Sequence, residues 1–183
     1  IAKATALRFA EEGAKVVICD LNEEVGQETV KELGADASFY KVNIADRQEA
    51  QNWIDTVVEK YGQVDVLVNN AGIVRDGQLV KVKEGELVKQ MPEADFDLVI
   101  SVNLKGVFNG TQAVAPQMIK QGGGVILNAT SIVGLDGNFG QTNYGAAKMA
   151  VAGIMNTLKL ETAKYDIKIN TIAPTAYSRM TED

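Results

Sequence analysis

The sequence contains no histidine and only one cysteine, and these two shortages exclude several kinds of chemistry. Zinc sites built from cysteine and histidine, and catalytic triads that need an imidazole, cannot be assembled. A lone cysteine cannot form a disulfide within the chain. Cys19 lies in the apolar run VVICD, which predicts a small buried side chain. The candidate catalytic side chains are therefore serine, tyrosine, lysine, asparagine and the carboxylates.

Basic stripes and long apolar runs are also missing. The net charge is −6 and the charges are spread along the chain, so no nucleic-acid partner is predicted. No apolar run reaches membrane-spanning length, and the first fifteen residues lack the apolar core of a signal peptide. We therefore expect a cytoplasmic protein without a membrane partner. The 183 residues, 46% of them hydrophobic, fit a single domain with a substantial core.

Stretches of helical periodicity alternate with short apolar runs along most of the chain. One helix is predicted to end at Gly13. The other predicted helices cover residues 23–33, 47–61, 92–120 and 143–164, and the predicted strands cover residues 15–19, 38–42, 64–68, 125–130 and 167–172. Continuous apolar strands that alternate with helices are typical of a doubly wound α/β fold, in which helices cover both faces of a parallel sheet.

One segment, residues 79–88, departs from this alternation. Apolar and polar residues alternate there around Glu84 and Gly85, as they would in a two-stranded hairpin at the rim of the domain. An irregular solvated loop is an equally good interpretation, because Glu-Gly is a weaker turn signal than Asn-Gly.

The most informative pair of residues is Tyr144 and Lys148, which are four positions apart in a predicted helix. Side chains at this spacing project from the same helix face. A lysine ammonium beside the phenol would favour phenolate and lower the tyrosine pKa toward the range of a useful general acid or base. Ser131 lies upstream, at the end of the apolar run VILNATS. The spacing alone is weak evidence, since surface helices carry such pairs by chance.

Five motifs in a fixed order make the evidence stronger. They are VDVLVNNAG at residues 64–72, SVNLKG around Asn103, NATS with Ser131, YGAAK at residues 144–148, and NTIAP ending at Pro174. With these motifs the sequence resembles the short-chain dehydrogenases and reductases over essentially its whole length. The resemblance implies a Rossmann-like fold and an oxidoreductase that uses a nicotinamide cofactor.

The resemblance also implies a set of catalytic roles. Tyr144 would exchange a proton with the substrate oxygen, and Ser131 would hold that oxygen by a hydrogen bond. Lys148 would lower the tyrosine pKa and bind the nicotinamide ribose, while Asn103 would fix a water that links the lysine to solvent. The plainer alternatives are that Ser131 caps a strand end and that Asn103 bonds its own helix backbone.

A carboxylate at the end of a strand points to the choice of cofactor. In the family, an acidic residue at the position of Asp20 accepts hydrogen bonds from both ribose hydroxyls and repels a 2′-phosphate, which implies NAD rather than NADP. The alternative role for Asp20 is a cap on the following helix. Asn43 stands where relatives often carry an aspartate that faces adenine, while Asp46 keeps a later acidic position. The implied cofactor contacts are Asp20, Asn43, Ile44, Asn70, Ala71, Gly72, Tyr144, Lys148, Pro174 and Ser178.

Two parts of the family pattern have no counterpart in this sequence. The family's first strand and its glycine-rich turn would precede Ala2, and relatives continue beyond Thr181 with a substrate lid, another strand and a helix. We therefore expect residues 1–183 to form a partial dinucleotide-binding and catalytic domain.

Two segments bear on the substrate. GNFGQTNY at residues 137–144 and TAYSRMTED after Pro174 are similar to the 3-oxoacyl-ACP reductases and to the (3R)-hydroxyacyl-CoA dehydrogenase part of multifunctional enzymes. The resemblance implies interconversion of a 3-hydroxyacyl and a 3-oxoacyl thioester. The alternatives are a dehydrogenase for a sugar, steroid or other secondary alcohol, and a catalytically silent binding protein on the same fold.

The helix that follows Tyr144 carries a second apolar stripe with small residues around it. The stripe comprises Ala147, Val151, Ile154 and Leu158. Most of it is expected in the core. Small residues nevertheless permit close approach of another helix, and the resemblance implies two-fold pairing, so we expect a homodimer or homotetramer.

Overall fold

Parallel strands form two separate sheets in the computed structural model, which describes residues 1–176. β1 (Val17–Asp20) pairs with β2 (Ser38–Lys41), and a second sheet has the order β3 (Val66–Asn69), β6 (Gly124–Ala129), β7 (Ile167–Ile172). The strand directions agree with the predicted doubly wound fold. Within the described residues, no strand bonds the two sheets together.

Seven α-helices connect these strands in the described part of the chain. They are α1 (Ala2–Glu11), α2 (Glu23–Leu33), α3 (Arg47–Tyr61), α4 (Glu93–Ile100), α5 (Gly106–Gln121), α6 (Ile132–Asp136) and α7 (Thr142–Thr162). Short helix α6 has too few residues to show a periodicity, and it was not predicted. Within residues 1–176, no helix combines the length and the hydropathy needed to cross a bilayer.

Local sequence signals set several helix ends. The side chain of Asp46 accepts hydrogen bonds from the backbone N–H groups of Gln48 and Glu49 at the start of α3. Gly62 and Gly122 end α3 and α5 in the left-handed conformation that glycine adopts without steric cost. These ends fall within one or two residues of the predicted ones.

The prediction of one continuous α-helix over residues 92–120 was wrong, because one turn in its middle is not α-helical. α4 and α5 are joined by a π-helical turn, Ser101–Lys105, which contains Asn103. Such a turn inserts one residue into the helical repeat, and the apolar pattern is too coarse to reveal it. π-Helical turns are frequent at functional sites.

The hydrophobic core lies between the three-stranded sheet and helices α3 and α5. Its most buried members are Ile54, Leu67, Val114, Met118, Ile126, Ile167 and Ile169. From α7, Met155 and Leu158 pack against the same cluster. In the predicted α7 stripe, Ala147 and Val151 are fully buried, so this stripe is mainly core, as expected.

Residues 79–90 form the predicted hairpin rather than an irregular loop. β4 (Val80–Lys83) and β5 (Glu86–Gln90) are antiparallel, and the turn residues Glu84 and Gly85 both have positive φ, at 54° and 84°. Two consecutive positive φ values suit a tight hairpin, because they match the twist of its strands. All side chains from Leu79 to Gln90 are exposed. We call this segment, residues 79–90, the hairpin arm.

Candidate active site

The predicted site residues follow the carboxyl ends of parallel strands in both sheets. Asp20 is the last residue of β1, and Asn70 follows β3 directly. Ser131 comes two residues after the end of β6, and Pro174 two residues after β7. In open α/β sheets this edge is where ligands bind.

Tyr144 and Lys148 project from one face of α7, as their spacing predicts. The Lys148 Nζ atom lies 5.6 Å from the centre of the Tyr144 ring. The phenol is half-buried, whereas only 4% of Lys148 is exposed. The amine is therefore inside the protein, whereas the phenol remains partly accessible.

The end of β6 holds Lys148 in place from two sides. Its Nζ donates a hydrogen bond to the Ala129 carbonyl oxygen at 2.9 Å. The Thr130 hydroxyl donates to the Lys148 carbonyl oxygen at 2.6 Å. Burial lowers the pKa of the Lys148 amine from 10.5 to about 8, because the charged form loses hydration. This amine can therefore change its protonation state close to neutral pH.

The expected lowering of the Tyr144 pKa by Lys148 is not found. Burial is the largest effect, and it raises the pKa of the phenol. The negative charge of Asp76 raises it further, while the hydrogen bond with Ser131 lowers it. The prediction counted only the neighbouring ammonium and left out the loss of hydration, which is the largest effect on this phenol.

Ser131 interacts with the phenol and also starts a helix. Its hydroxyl oxygen accepts a hydrogen bond from the Val133 N–H at 3.2 Å, so it is the N-cap of α6. The same side chain is close enough to the Tyr144 phenol to lower its pKa. A purely structural role for Ser131 is therefore an incomplete description. The hydrogen bond that caps α6 also holds the serine hydroxyl beside the phenol.

Asn103 is fully buried in the π-helical turn and bonds a neighbouring loop. Its Oδ1 accepts from the Ile73 N–H at 2.7 Å, and its Nδ2 donates to the Ile73 carbonyl at 2.8 Å. The alternative in which Asn103 bonds its own helix backbone is thus wrong. A Cβ at Gly72 would lie 2.9 Å from Asn103 Oδ1 and 3.5 Å from Lys148 Nζ. Asn103 and Lys148 therefore converge at Gly72, where only glycine leaves room.

Asp20 is exposed at the tip of β1. Its Oδ1 accepts a hydrogen bond from the Asn22 N–H at 2.9 Å. The residue that caps α2 is Asn22, whose side chain accepts from the Val25 N–H at 3.1 Å. The alternative role of Asp20 as the helix cap is therefore wrong, and its carboxylate remains at the surface near the strand end.

The loop after β2 is held internally. Asn43 donates its backbone N–H to Glu49 Oε2 at 2.7 Å, and its side-chain oxygen accepts from the Ala45 N–H at 3.1 Å. Asp46, which the sequence placed in the same loop, caps α3. The polar groups of this loop thus fix its shape.

A residue that was not predicted, Asn109, fixes the same loop to α5. Its Nδ2 donates to the carbonyl oxygens of Ile44 and Ala45 at 3.0 and 3.1 Å. The Ile44 side chain packs where a Cβ at Gly106 would stand, 2.9 Å away. The available signal was a polar residue on an otherwise apolar helix face.

Asn143, also missed, holds the beginning of α7. The residue is fully buried, and its Nδ2 donates to the Arg75 carbonyl at 2.9 Å. Its Oδ1 accepts from the Tyr144 N–H at 2.8 Å. Asn143 therefore ties the backbone of Tyr144 to the loop that follows β3. Its position next to the tyrosine was the only sequence signal.

Of the remaining predicted cofactor contacts, some lie within the described residues and one does not. Ala71 lies with Asn70 and Gly72 in the loop after β3, and Pro174 is half-buried after β7. Ser178 lies outside the described residues. The residues that would hold a nicotinamide cofactor fit it in two respects: glycine at position 72 keeps the strand edge open, and the Asp20 carboxylate is accessible to a ribose.

Fold and site together define a class of protein. A phenol, a hydroxyl and a buried amine at the carboxyl edge of a parallel sheet can exchange a proton with an alcohol or carbonyl oxygen. With the accessible carboxylate on β1, this arrangement is that of a dinucleotide-dependent oxidoreductase.

Comparisons with known proteins agree with that class. The model of the short chain dehydrogenase family matches residues 1–182, so the chain belongs to this family. It is 48% identical over 177 residues to the 3-oxoacyl-[acyl-carrier-protein] reductase FabG of Thermotoga maritima, covering 95% of this chain and 68% of the relative. It is 42% identical over 186 residues to the peroxisomal multifunctional enzyme type 2 of Drosophila melanogaster, covering 97% of this chain and 30% of that protein.

A solved structure is also similar. The crystal structure of NAD⁺-bound xylitol dehydrogenase matches with a TM-score of 0.86 and 32% identity, covering 94% of this chain and 64% of that one. The predictions of a Rossmann-like fold, an oxidoreductase of this family and a nicotinamide cofactor are thereby confirmed. The chain spans about two thirds of the reductase and of the solved structure.

Proposed function

We propose that this chain interconverts a 3-hydroxyacyl and a 3-oxoacyl thioester by hydride transfer with NAD. The observation that carries the proposal is the grouping of Tyr144, Ser131 and Lys148, in which the serine side chain acts on the pKa of the phenol and the Lys148 Nζ atom lies 5.6 Å from the ring centre. The thioester substrate is supported by the similarity to a 3-oxoacyl-[acyl-carrier-protein] reductase and to a multifunctional enzyme.

Each side chain has a separate role in this proposal. In the reducing direction, Tyr144 gives its hydroxyl proton to the substrate carbonyl oxygen, and Ser131 donates a hydrogen bond to the same oxygen. A bound nicotinamide supplies the hydride to the carbonyl carbon. Lys148 stabilises the phenolate that remains until the proton is replaced. Asn103 makes two hydrogen bonds with the Ile73 backbone and so holds the loop next to Lys148. It is also the proposed site of a water that carries protons to solvent.

NAD is preferred over NADP in this proposal. The exposed Asp20 carboxylate at the tip of β1 would accept hydrogen bonds from the adenosine ribose and repel a 2′-phosphate. The similar xylitol dehydrogenase structure contains NAD⁺, which supports the preference.

A second candidate substrate class is a polyol or another secondary alcohol. The similarity to xylitol dehydrogenase favours it, although the identity of 32% is lower than the 48% shared with the reductase.

A homo-oligomer is also part of the proposal, because α5 and α7 leave Phe108, Met149 and Leu160 exposed. Such apolar side chains on two helices can pair across a two-fold axis. We keep the cytoplasm as the proposed location.

The direct test measures turnover of acetoacetyl-CoA with NADH in the complete native protein. Xylulose and a steroid ketone serve as comparison substrates, and NADPH as the comparison cofactor. We expect the highest kcat/KM for the 3-oxoacyl thioester with NADH. Turnover of acetoacetyl-CoA no faster than that of the other ketones would refute the thioester substrate, and faster turnover of xylulose would support the second candidate.

A further inference from the structure

The hairpin arm and the loop before α7 line a shallow, open cleft that the catalytic residues do not use. Its volume is about 320 Å³, and it is lined by Asp76, Gly77, Gln78, Lys81, Lys89, Phe139 and Gly140. A hydrogen bond joins the two segments that line it, because the Gly77 N–H donates to the Gly140 carbonyl at 2.8 Å. The cleft is therefore formed by the fold and not by the arm alone.

Two lysines face each other across the arm. Lys81 of β4 and Lys89 of β5 are direct cross-strand partners, and both line the cleft. Like charges directly opposite each other destabilise a hairpin, unless an anion lies between them. Among residues 1–176, neither ammonium lies within 4 Å of a carboxylate. The pair thus has the charge and the freedom to bind a phosphate.

The cleft carries a second feature that suits a nucleotide. Phe139 is 81% exposed at its rim, although a bare phenyl ring in water costs free energy. Such a ring can stack on a base, as aromatic side chains do in nucleotide-binding proteins. The one carboxylate in the lining, Asp76, accepts two hydrogen bonds from Gln141 Nε2, at 3.0 and 3.1 Å.

Asp76 also connects the cleft to the catalytic residues. Its charge raises the pKa of the Tyr144 phenol, so the lining of the cleft and the proton donor are electrostatic neighbours. Asn143, which bonds Arg75, holds the same two segments together. A ligand in the cleft could therefore extend to the phenol without leaving the protein surface.

We propose that this cleft binds the phosphate-bearing nucleotide end of a coenzyme A thioester, with Lys81 and Lys89 on the phosphates and Phe139 on the base. The inference rests on the proposed function, since it identifies the carrier of the same acyl substrate. Coenzyme A fits the cleft better than a carrier protein does, because it supplies several phosphate charges for the two lysines and a base for Phe139, whereas the phosphopantetheine arm of a carrier protein has a single phosphate and no base.

The test uses the complete native protein and the double variant Lys81→Gln/Lys89→Gln. Lys83→Gln is the matched control, since Lys83 is in the same hairpin and does not line the cleft. Calorimetric titration with coenzyme A should give a Kd that is weakened about tenfold in the double variant and less than about twofold in the control. The difference should shrink at high salt because ions screen exposed charges. Equal affinities in the double variant and the control would overturn the proposal.

Kinetics separate this inference from the proposed function. The measured quantity is the ratio of kcat/KM for acetoacetyl-CoA to that for its N-acetylcysteamine thioester, which has neither phosphate nor base. The ratio should fall by about tenfold in the double variant. If the native protein converts both thioesters and the ratio is unchanged, the cleft proposal is wrong while the function stands.

If the native protein converts neither thioester, the proposed function fails, and the titration with coenzyme A still decides whether the cleft is a site. A double variant impaired only toward an acyl-carrier-protein substrate would overturn the choice of coenzyme A in favour of the protein carrier.

Discussion

The catalytic edge and the hairpin arm are neighbours, yet they are built in opposite ways. Around Tyr144, side chains such as Asn103, Asn143 and Lys148 are buried, and each is bonded to backbone groups of another segment. In the arm every side chain is exposed, and the two strands bond mainly to each other. The first arrangement fixes geometry at the cost of burying polar groups. The second leaves side chains free to meet a ligand.

The largest effect should come from a substitution at the catalytic edge that removes the proposed proton donor. Tyr144→Phe removes only the hydroxyl, so turnover should fall by about 10²–10⁴-fold through loss of the proton donor. Binding of NADH, measured by fluorescence titration, should be kept. Tyr165→Phe is the control, since Tyr165 packs beside the core away from the strand edge. Retained turnover in Tyr144→Phe would remove this residue from the mechanism.

A matched pair of leucines tests the difference in packing. Leu67 in β3 is 5% exposed and belongs to the core, whereas Leu87 in the arm is 54% exposed. Leu67→Ala should lower the free energy of unfolding by about 2–5 kcal/mol. Leu87→Ala should change it by less than about 0.5 kcal/mol. Urea titration of both variants measures this. A loss at Leu87 as large as that at Leu67 would mean that the arm is packed against another part of the protein.

The buried amine gives a prediction with a defined pH window. The pKa of Lys148 is lowered to about 8 in the folded protein, so between about pH 8 and 10.5 the unfolded chain holds more protons at this residue. Its contribution to stability is therefore present above 10.5 and is lost as the pH falls through 8. Urea unfolding of the wild type and Lys148→Met across this range should show the wild type gaining stability relative to the variant as the pH rises. A difference that does not change with pH would mean that the folded pKa is not lowered.

The smallest expected effect concerns an exposed charge. Asp20→Asn removes the repulsion of a 2′-phosphate, so the preference for NAD over NADP should fall by about tenfold or less, because the group is solvated. Stability should hardly change. The measurement is kcat/KM for both cofactors, with Asp36→Asn as a control carboxylate in the loop after α2. A preference that stays the same in Asp20→Asn would assign the choice of cofactor to other residues.

Much of the fold could be predicted because its signals are local. Apolar runs and helical spacing give the strands and most helices, while caps such as Asp46 and Gly62 give their ends. The π-helical turn at Ser101–Lys105 could not be predicted, since it changes the helical repeat without changing the type of residue.

The candidate site divides in a similar way. The order of the motifs predicted which residues meet, and Tyr144, Ser131 and Lys148 do meet. The residues that hold them, Asn109 and Asn143, were missed, because a buried asparagine looks like any polar residue until its partners are known.

The sequence by itself determined the class of fold, the family and the identity of the groups that can transfer a proton, because periodicity and motif order are properties of the chain. Only the tertiary structure decided how those groups behave. Burial around Tyr144 and Lys148 sets the direction of both pKa shifts, and the pairing of β4 with β5 places Lys81 against Lys89. Hydration depends on residues far apart in the chain, and the hairpin register depends on which residues of its two strands pair, so both are defined only once the chain has folded.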